Sequence, residues 1–275
     1  MPGLFTVSVD SHGHAEQVQT LLAQLAKAPA GIIDKVVVTL NVPEEHSGWE
    51  SDQVQLVQNR RPKGFGANHN HAFSLCTSPY FCVVNPDIEL RACPRTKASG
   101  QVLADEELGH GVRHIFDALA RALSAPGMPR VALAYPGQCL PDGVPLDFAR
   151  PLVTPLALFK RKFSGFTNSA QGHAVADWVS GAFMAFQTDV FAGVKGFDER
   201  YYMYCEDVDI CLRLRLAGYT MAMAEVSVVH HTQRRTLKSA QHLIWHVRSL
   251  LRLWCSSAYY SYIRWLANKE KIKKQ

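Results

Sequence analysis

Apolar and polar positions fall into short blocks along this chain. Leu4–Val9 is an apolar, β-branched run that stops at Asp10-Ser11-His12-Gly13-His14. Val18, Leu21, Leu22 and Leu25 then share one helical face, and Lys35–Leu40 is a second strand-like run ending at Asn41. Strand, loop, helix, strand predicts the opening of a parallel α/β sheet, whose ligands collect at the carboxyl ends of strands. Gln55–Gln58 predicts a short strand, and Tyr80–Val84 a strongly apolar one that breaks at Asn85-Pro86-Asp87. Residues 92–130 are charged, Ala-rich and helical in pattern, with His110 and His114 read as solvated. Val131–Tyr135 predicts a strand before a turn over 136–143, and residues 156–173 read as a mobile loop over a cleft. Asp177–Phe186 predicts a strand crossing the sheet, and Met221–Val229 the last strand, ending in His230-His231.

The densest chemistry lies in Gly196–Tyr219. Two tyrosines, a Met and another Tyr lead into Glu206, Asp207 and Asp209, and a helix follows with Val208, Cys211, Leu212 and Leu216 in register. Gly218 stands where a C-cap glycine belongs. An acid at a helix start is stabilised by the free N–H groups and the dipole, so capping is one reading. Capping needs one acid and this turn has three. Like charges so close push at least one carboxylate pKa upward, as a general base requires, and this is the second reading.

Composition narrows the class. At 275 residues, 47% hydrophobic and 19% charged, the chain is globular, with length for a proper core. No apolar run reaches membrane-spanning length, and the N-terminus enters a strand without a signal peptide, so the sequence predicts a cytoplasmic protein. Seven scattered cysteines with no C-x-x-C pair predict buried thiols in a reducing compartment. The net charge of +5 is uneven: residues 234–275 hold ten Lys/Arg against one Glu, leaving the preceding body acidic. A basic tail on an acidic body points to an anionic partner surface.

No G-x-G-x-x-G follows the first strand, which argues against a dinucleotide-dependent oxidoreductase. Gly64 and Gly66, beside Arg60, Arg61 and Lys63, suit a phosphate cradle, but the Lys-Ser/Thr ending of an ATPase loop is missing. Asp87, at the end of a buried strand, is placed to hold Mg²⁺ or Mn²⁺ with phosphate oxygens, or else Asn85-Pro86-Asp87 is simply a turn. Trp178 beside Ser180 and Gly181 suits a sugar platform or a core position equally.

Gly-Phe-Asp-Glu at 196–199, an aromatic link, Glu206-Asp207 and a helix ending in Ala-Gly-Tyr resemble the acceptor-side motif of family 2 glycosyltransferases. These are inverting, nucleotide-sugar-dependent enzymes of the GT-A fold. Asn85-Pro86-Asp87 resembles the form that their Asp-x-Asp motif takes in a rhamnosyltransferase-like branch, and Trp178-x-Ser180-Gly181 resembles the segment beneath sugar and acceptor. The resemblance implies an α/β GT-A unit over residues 1–235, with a mixed central sheet, a Rossmann-like nucleotide-sugar half at 1–90 and an acceptor half at 177–235. Residues 236–275 would be a basic, aromatic, helical tail. It implies donor contacts from Ser11, His12, Gly13, Asn41 (often Asp in the family), Gly64, Asn70, Asn85, Asp87, Arg234 and Arg235. It implies acceptor contacts from Trp178, Ser180, Gly181, Glu206 and Asp209, a divalent metal on Asp87 with His230 or His231, and Asp207, tuned by Glu206, as catalytic base.

The implied reaction is sugar transfer from a dTDP- or UDP-sugar to a glycan or lipid-linked hydroxyl. Rhamnose is the sugar that the Asn-Pro-Asp variant favours. A nucleotidyltransferase would need a second metal-binding acid and a basic Gly-rich loop near the N-terminus. A non-catalytic adaptor for membrane or nucleic acid would leave the cleft acids unexplained, so nucleic acid is not an expected partner. In the tail, Leu243, Val247, Leu250, Leu251 and Trp254 face one way. Either this face and the following aromatics lie on a membrane, with the tail removable without loss of transfer, or they pack on the domain or on a second copy of the chain.

Overall fold

The computed structural model describes residues 3–93, 111–156, 158, 176–232 and 240–273. Strands β1 (Phe5–Ser11), β2 (Ile33–Leu40), β3 (Val54–Gln58), β4 (Tyr80–Val84) and β5 (Ile88–Glu89) come from the first part of the chain. Later residues supply β6 (Val131–Cys139), β7 (Ala149–Arg150), β8 (Trp178–Val179), β9 (Phe183–Gln187) and β10 (Thr220–His230). One eight-stranded sheet runs β3-β2-β1-β4-β9-β6-β10-β5, and β7 pairs with β8 apart from it. The pairs among β3, β2, β1 and β4 are parallel, as is β6 with β10, whereas β9 and β5 run antiparallel to their neighbours.

Both faces of this sheet are covered, which is why its strands read as continuous apolar runs. The pleat sends Val36 and Val38 to one core and Val37 to the other, and it splits Cys82 and Val84 from Phe81 and Val83 in the same way. The first core packs α1 (Ala15–Leu25) and an amphipathic helix, α3 (Val112–Ser124). The second packs α2 (Phe65–Phe73), α4 (Thr188–Gly193), α5 (Glu206–Leu216), α6 (Ala240–Trp254) and α7 (Ser257–Lys273). Helix α5 ends as its glycine predicts: Gly218 has φ +87°, its N–H bonds Arg215 O, and Tyr219 N–H bonds Leu214 O.

Strand order reverses between β1 and β4, the place where an open α/β sheet leaves a crevice. Asp10 and Ser11, Asn41, and Asn85 to Asp87 all stand at strand ends around it.

Three expectations need correction, and one open alternative is decided. Asp177–Phe186 is not one strand, because Ser180–Ala182 turn between β8 and β9. Strand β6 continues through Pro136 and Gly137 alongside β10, so the turn falls later, at Leu140–Gly143. Cys93 and Cys139 form a disulfide in place of two free thiols. The tail aromatics are divided. Leu253, Tyr259 and Tyr262 are buried, and Trp254 donates its N–H to Val153 O at 2.9 Å. Helix α7 is therefore part of the second core rather than a removable appendage. The expected loop over 156–173 lies almost wholly outside the described residues, as does His110.

Candidate active site

The three acids at the start of α5 occupy three environments. Tyr204 (φ 73°) and Cys205 (φ 66°), two consecutive residues in the left-handed region, turn the chain into the helix. Such a geometry costs on the order of 1 kcal/mol or more per residue and must be held by its surroundings. Glu206 and Asp209 are buried, at 6% and 3% exposure, while Asp207 is only half-buried. Asp209 is gripped by Arg213 at 2.6 Å, and Arg213 also donates to Val194 O and Gly196 O. Asp209 thus braces the Gly196 turn; it is not free to contact an acceptor, which corrects that assignment.

Asp207 Oδ2 accepts the Gly181 N–H at 3.1 Å and its Oδ1 accepts the Val208 N–H at 2.8 Å. A side chain at position 181 would meet Asp207 Cβ at 3.4 Å and the Phe65 ring at 3.5 Å, so the glycine leaves room for the carboxylate. Burial raises the Asp207 pKa above the ordinary carboxylate range, against these two N–H bonds and the positive charge of Arg150. Burial, then the charge of Asp207, raises Glu206 much further, and Glu206 Oε2 is sealed without a hydrogen-bond partner. The result is a sealed acid that holds its proton more tightly beside a partly accessible one.

Trp178 is not an open platform: it is 7% exposed, donates its N–H to Pro151 O, and carries the Arg150 guanidinium 5.3 Å from its ring centre. Arg150 is held over Trp178 by the β7–β8 pairing and reaches the field of Asp207. Ser180 is half-buried, with its N–H on Phe148 O and its hydroxyl facing the Ala182 N–H at 3.4 Å.

At the ends of β1 to β3 a polar chain closes on itself. Asn41 Oδ1 accepts the Lys63 N–H and Asn59 Nδ2, while Asn41 Nδ2 donates to Lys63 O and lies 3.1 Å from His12 Nδ1. An aspartate could accept from Lys63 but could not donate back, which explains Asn here. Asn59 Nδ2 also reaches Asn68 Oδ1, and Asn68 Nδ2 donates to Asp10 Oδ2 at 3.0 Å. Burial, then the charge of Glu44, outweighs that bond and raises Asp10 to about 7, with its Oδ1 unpartnered. Ser11 is buried, and its carbonyl accepts the Asn41 N–H; His12 and Gly13 (φ +76°) are exposed at the rim.

Gly64 sits under Tyr202, where a Cβ would come within 2.7 Å of backbone, so the acceptor-side loop lies directly on the start of α2. Asn70 does not face the donor side. Its amide donates to Phe197 O and Glu199 and accepts from Phe197 N–H, committing both sides to the Gly196 turn. Asp10, Asn59 and Asn68 were missed from the sequence. Asp10 carried the signal, an acid closing a buried strand as Asp87 does; nothing local marked the two asparagines.

Asn85-Pro86-Asp87 is a turn, with Ile88 N–H on Asn85 O. Asp87 Oδ1 is a buried oxygen without a hydrogen bond, 3.4 Å from His230 Nε2. His230 Nδ1 lies 2.9 Å from Gln138 Oε1. His231 is turned away from this pair: its ring bonds Glu89 Oε2 at 2.9 Å while its N–H holds Asp87 O. The hydrogen bonds from His231 and Arg91 bring Glu89 below its usual pKa against its burial, so His231 is a partner of Glu89 and His230 is the histidine beside Asp87. Carboxylate oxygen and imidazole nitrogen with a hydrogen-bonded second nitrogen form a donor set that suits Mn²⁺ better than Mg²⁺, which prefers oxygen alone. Among the described residues no three His, Cys, Asp or Glu gather as a complete cage, so the remaining positions would fall to water and phosphate. Arg234 and Arg235 lie outside the described residues.

The architecture has known counterparts. A mannosyltransferase from Pyrobaculum calidifontis, solved with GDP-Man and Mn²⁺, superposes with a TM-score of 0.58 over 92% of this chain and 65% of its own, at 16% identity. The fold is GT-A. Residues 162–245, which contain the Trp178 and Glu206-Asp207 segments, match a family model described as glycosyltransferase like family 2. Within the GT-A chain, 88 residues are 41% identical to the rhamnosyltransferase WbbL of Escherichia coli K12, covering 30% of this chain and 33% of that protein. Another 40% identity, over 74 residues, is to the N-acetylglucosaminyl-diphospho-decaprenol L-rhamnosyltransferase of Mycobacterium tuberculosis H37Rv, covering 26% of this chain and 24% of that one. The matched segments thus span about a third or less of the length of these curated relatives.

Proposed function

We propose that this chain is an inverting glycosyltransferase carrying a sugar from a nucleotide-diphosphate donor to a hydroxyl of a lipid-linked or glycan acceptor. The observation that carries the reading is the placement of Asp207. Of three crowded acids it alone is partly open, anchored through both oxygens by backbone N–H groups and poised above the ordinary carboxylate pKa. A base so placed takes the acceptor proton as the hydroxyl attacks the anomeric carbon. Burial pushes Glu206 further up than Asp207, so of the two Asp207 is the more readily ionised. Arg150 stabilises the ionised form of Asp207 before attack.

The crevice at the ends of β1, β2 and β4 takes the nucleotide, with the Asn41–Lys63 brace and the Asp10 chain forming the wall against base and ribose. Asp87 and His230 would hold a divalent cation, which supplies positive charge for the departing diphosphate. The two rhamnosyltransferase relatives support rhamnose as the sugar, and the mycobacterial one supports its L form and a diphosphate-linked polyprenol acceptor. Such an acceptor places the enzyme at a membrane face. Among the described residues no helix is long and apolar enough to cross one.

The test is transfer from a panel of dTDP-, UDP- and GDP-sugars to a polyprenyl-diphosphate-linked sugar, with the product's anomeric configuration read by NMR. One donor should give an inverted glycoside. Retention of configuration, or nucleotidyl transfer in place of glycosyl transfer, would overturn the reading.

A further inference from the structure

Six of the large apolar side chains left exposed among the described residues lie on the last two helices: Leu243, Ile244, Val247, Leu251, Tyr260 and Ile263. Four belong to α6, and at 100° per residue positions 243, 244, 247 and 251 form one stripe. Each is close to half exposed, between 47% and 55%, so the stripe is an outward face and not the rim of a core. The opposite face of α6 is fixed to the protein: Leu253 is buried, the Ser249 hydroxyl donates to Met203 O, and the Trp245 ring packs at a tilt on Tyr202, 4.8 Å between centres.

Arg248 and Arg252 border the stripe on one side, and no ion pair to either is present among the described residues. With Arg200, Leu251, Cys255 and Ser256 they line a groove of 630 Å³ at the carboxyl end of α6. Arg200 is bound to Asp198, so Arg248 and Arg252 supply the unneutralised charge. Arg264, Lys269 and Lys271 add positive charge on α7.

We infer that the outer face of α6 docks on an anionic bilayer, with Leu243, Ile244, Val247 and Leu251 entering the interface and the Arg248–Arg252 groove taking lipid phosphate. This rests on the proposed use of a lipid-linked acceptor, and it names the surface and the lipid charge. An anionic bilayer offers both things this face lacks, apolar depth and negative head groups, at the spacing of one helix diameter. A second copy of the chain fits less well, because a two-fold contact through the stripe would bring its arginines toward the partner's.

The test uses the whole chain and vesicles of phosphatidylcholine with or without phosphatidylglycerol. Co-sedimentation should require phosphatidylglycerol and weaken, without vanishing, at high salt. Arg248→Gln with Arg252→Gln should lower binding roughly 10- to 100-fold, at about 1 kcal/mol per charge. Leu243→Ser with Val247→Ser and Leu251→Ser should abolish what survives high salt. A nitroxide on the exposed Cys255, in a Cys76→Ser background, checks the placement independently of those variants: phosphatidylglycerol vesicles should restrict its motion and its access to aqueous relaxants. Equal binding to both vesicle types, variants that bind as the parent does, or a label indifferent to vesicles would overturn the inference. So would a dimer in solution that the serine variant dissolves. Vesicle binding without any sugar transfer would instead remove the catalytic reading and leave this surface standing.

Discussion

The Gln138 side-chain oxygen, 2.9 Å from His230 Nδ1, aims the other ring nitrogen at Asp87. An amide oxygen only accepts, so Nδ1 is the donor in this pair, and Nε2 faces Asp87 Oδ1 3.4 Å away. Gln138 is 4% exposed on β6, beside the parallel strand that carries His230. Gln138→Met keeps the length and loses the acceptor, and Mn²⁺ affinity measured by EPR titration should fall about 10- to 100-fold. Gln138→Glu keeps an acceptor and should stay near the parent. A Met variant that binds Mn²⁺ normally would detach this contact from the metal site.

Asp207→Asn should leave donor binding intact and cut turnover by a factor on the order of 10² to 10⁴. Glu206→Gln, which replaces an acid whose pKa burial pushes well up and whose Oε2 is sealed, should change turnover far less. The base works only when ionised, so kcat should rise with pH through a pKa above the ordinary carboxylate value. Full turnover in the Asn variant, once its fold is verified by circular dichroism, would move the base elsewhere.

Asp10 makes a stability prediction with a definite sign. Its folded pKa of about 7 lies above the reference value of 3.8, so the folded state binds the proton more tightly. Stability from this group is complete below 3.8 and is lost as pH rises to about 7. Asp10→Asn keeps an acceptor for Asn68 and removes the titration. Its Tm should exceed the parent's at pH 8, and the gap should shrink toward pH 4. A gap independent of pH would mean that Asp10 is not held protonated.

Tyr262 donates to Asp177 Oδ1 at 2.6 Å, and Asp177 Oδ2 accepts the Leu152 N–H at 2.7 Å. Helix α7 thus reaches the segment that carries Arg150 and Trp178. Tyr262→Phe should cost about 1.5 to 3 kcal/mol, the usual worth of a hydrogen bond to a charged group, read as a lower urea midpoint. A chain ending before α6 should be insoluble or inactive on every acceptor, since the second core loses Leu253, Tyr259 and Tyr262. A soluble, active truncation would return α7 to the status of an appendage.

Local pattern determined the sheet-building runs, the helix ending at Gly218 and the strand ends where polar residues gather, because burial on both faces writes itself as short apolar runs with polar stops. It also marked Asp87 and the acids of 206–209 as special, since carboxylates beside buried segments are costly unless used. It could not rank Glu206, Asp207 and Asp209, which are identical in charge and one turn apart. Their difference comes from Arg213 across the helix, from Gly181 26 residues away, and from which side of the helix faces solvent. Asn41 and Asn70 read as ligand contacts because their exposed chemistry is the same whether the partner is a nucleotide or a backbone. Only the folded chain brings Lys63 and Phe197 against them. The tail was ambiguous for the same reason: an amphipathic helix carries one apolar face in its sequence, and α6 and α7 use two. The buried one is chosen by the core residues waiting for it, so tertiary packing alone decided that Tyr262 belongs inside and Leu243 outside.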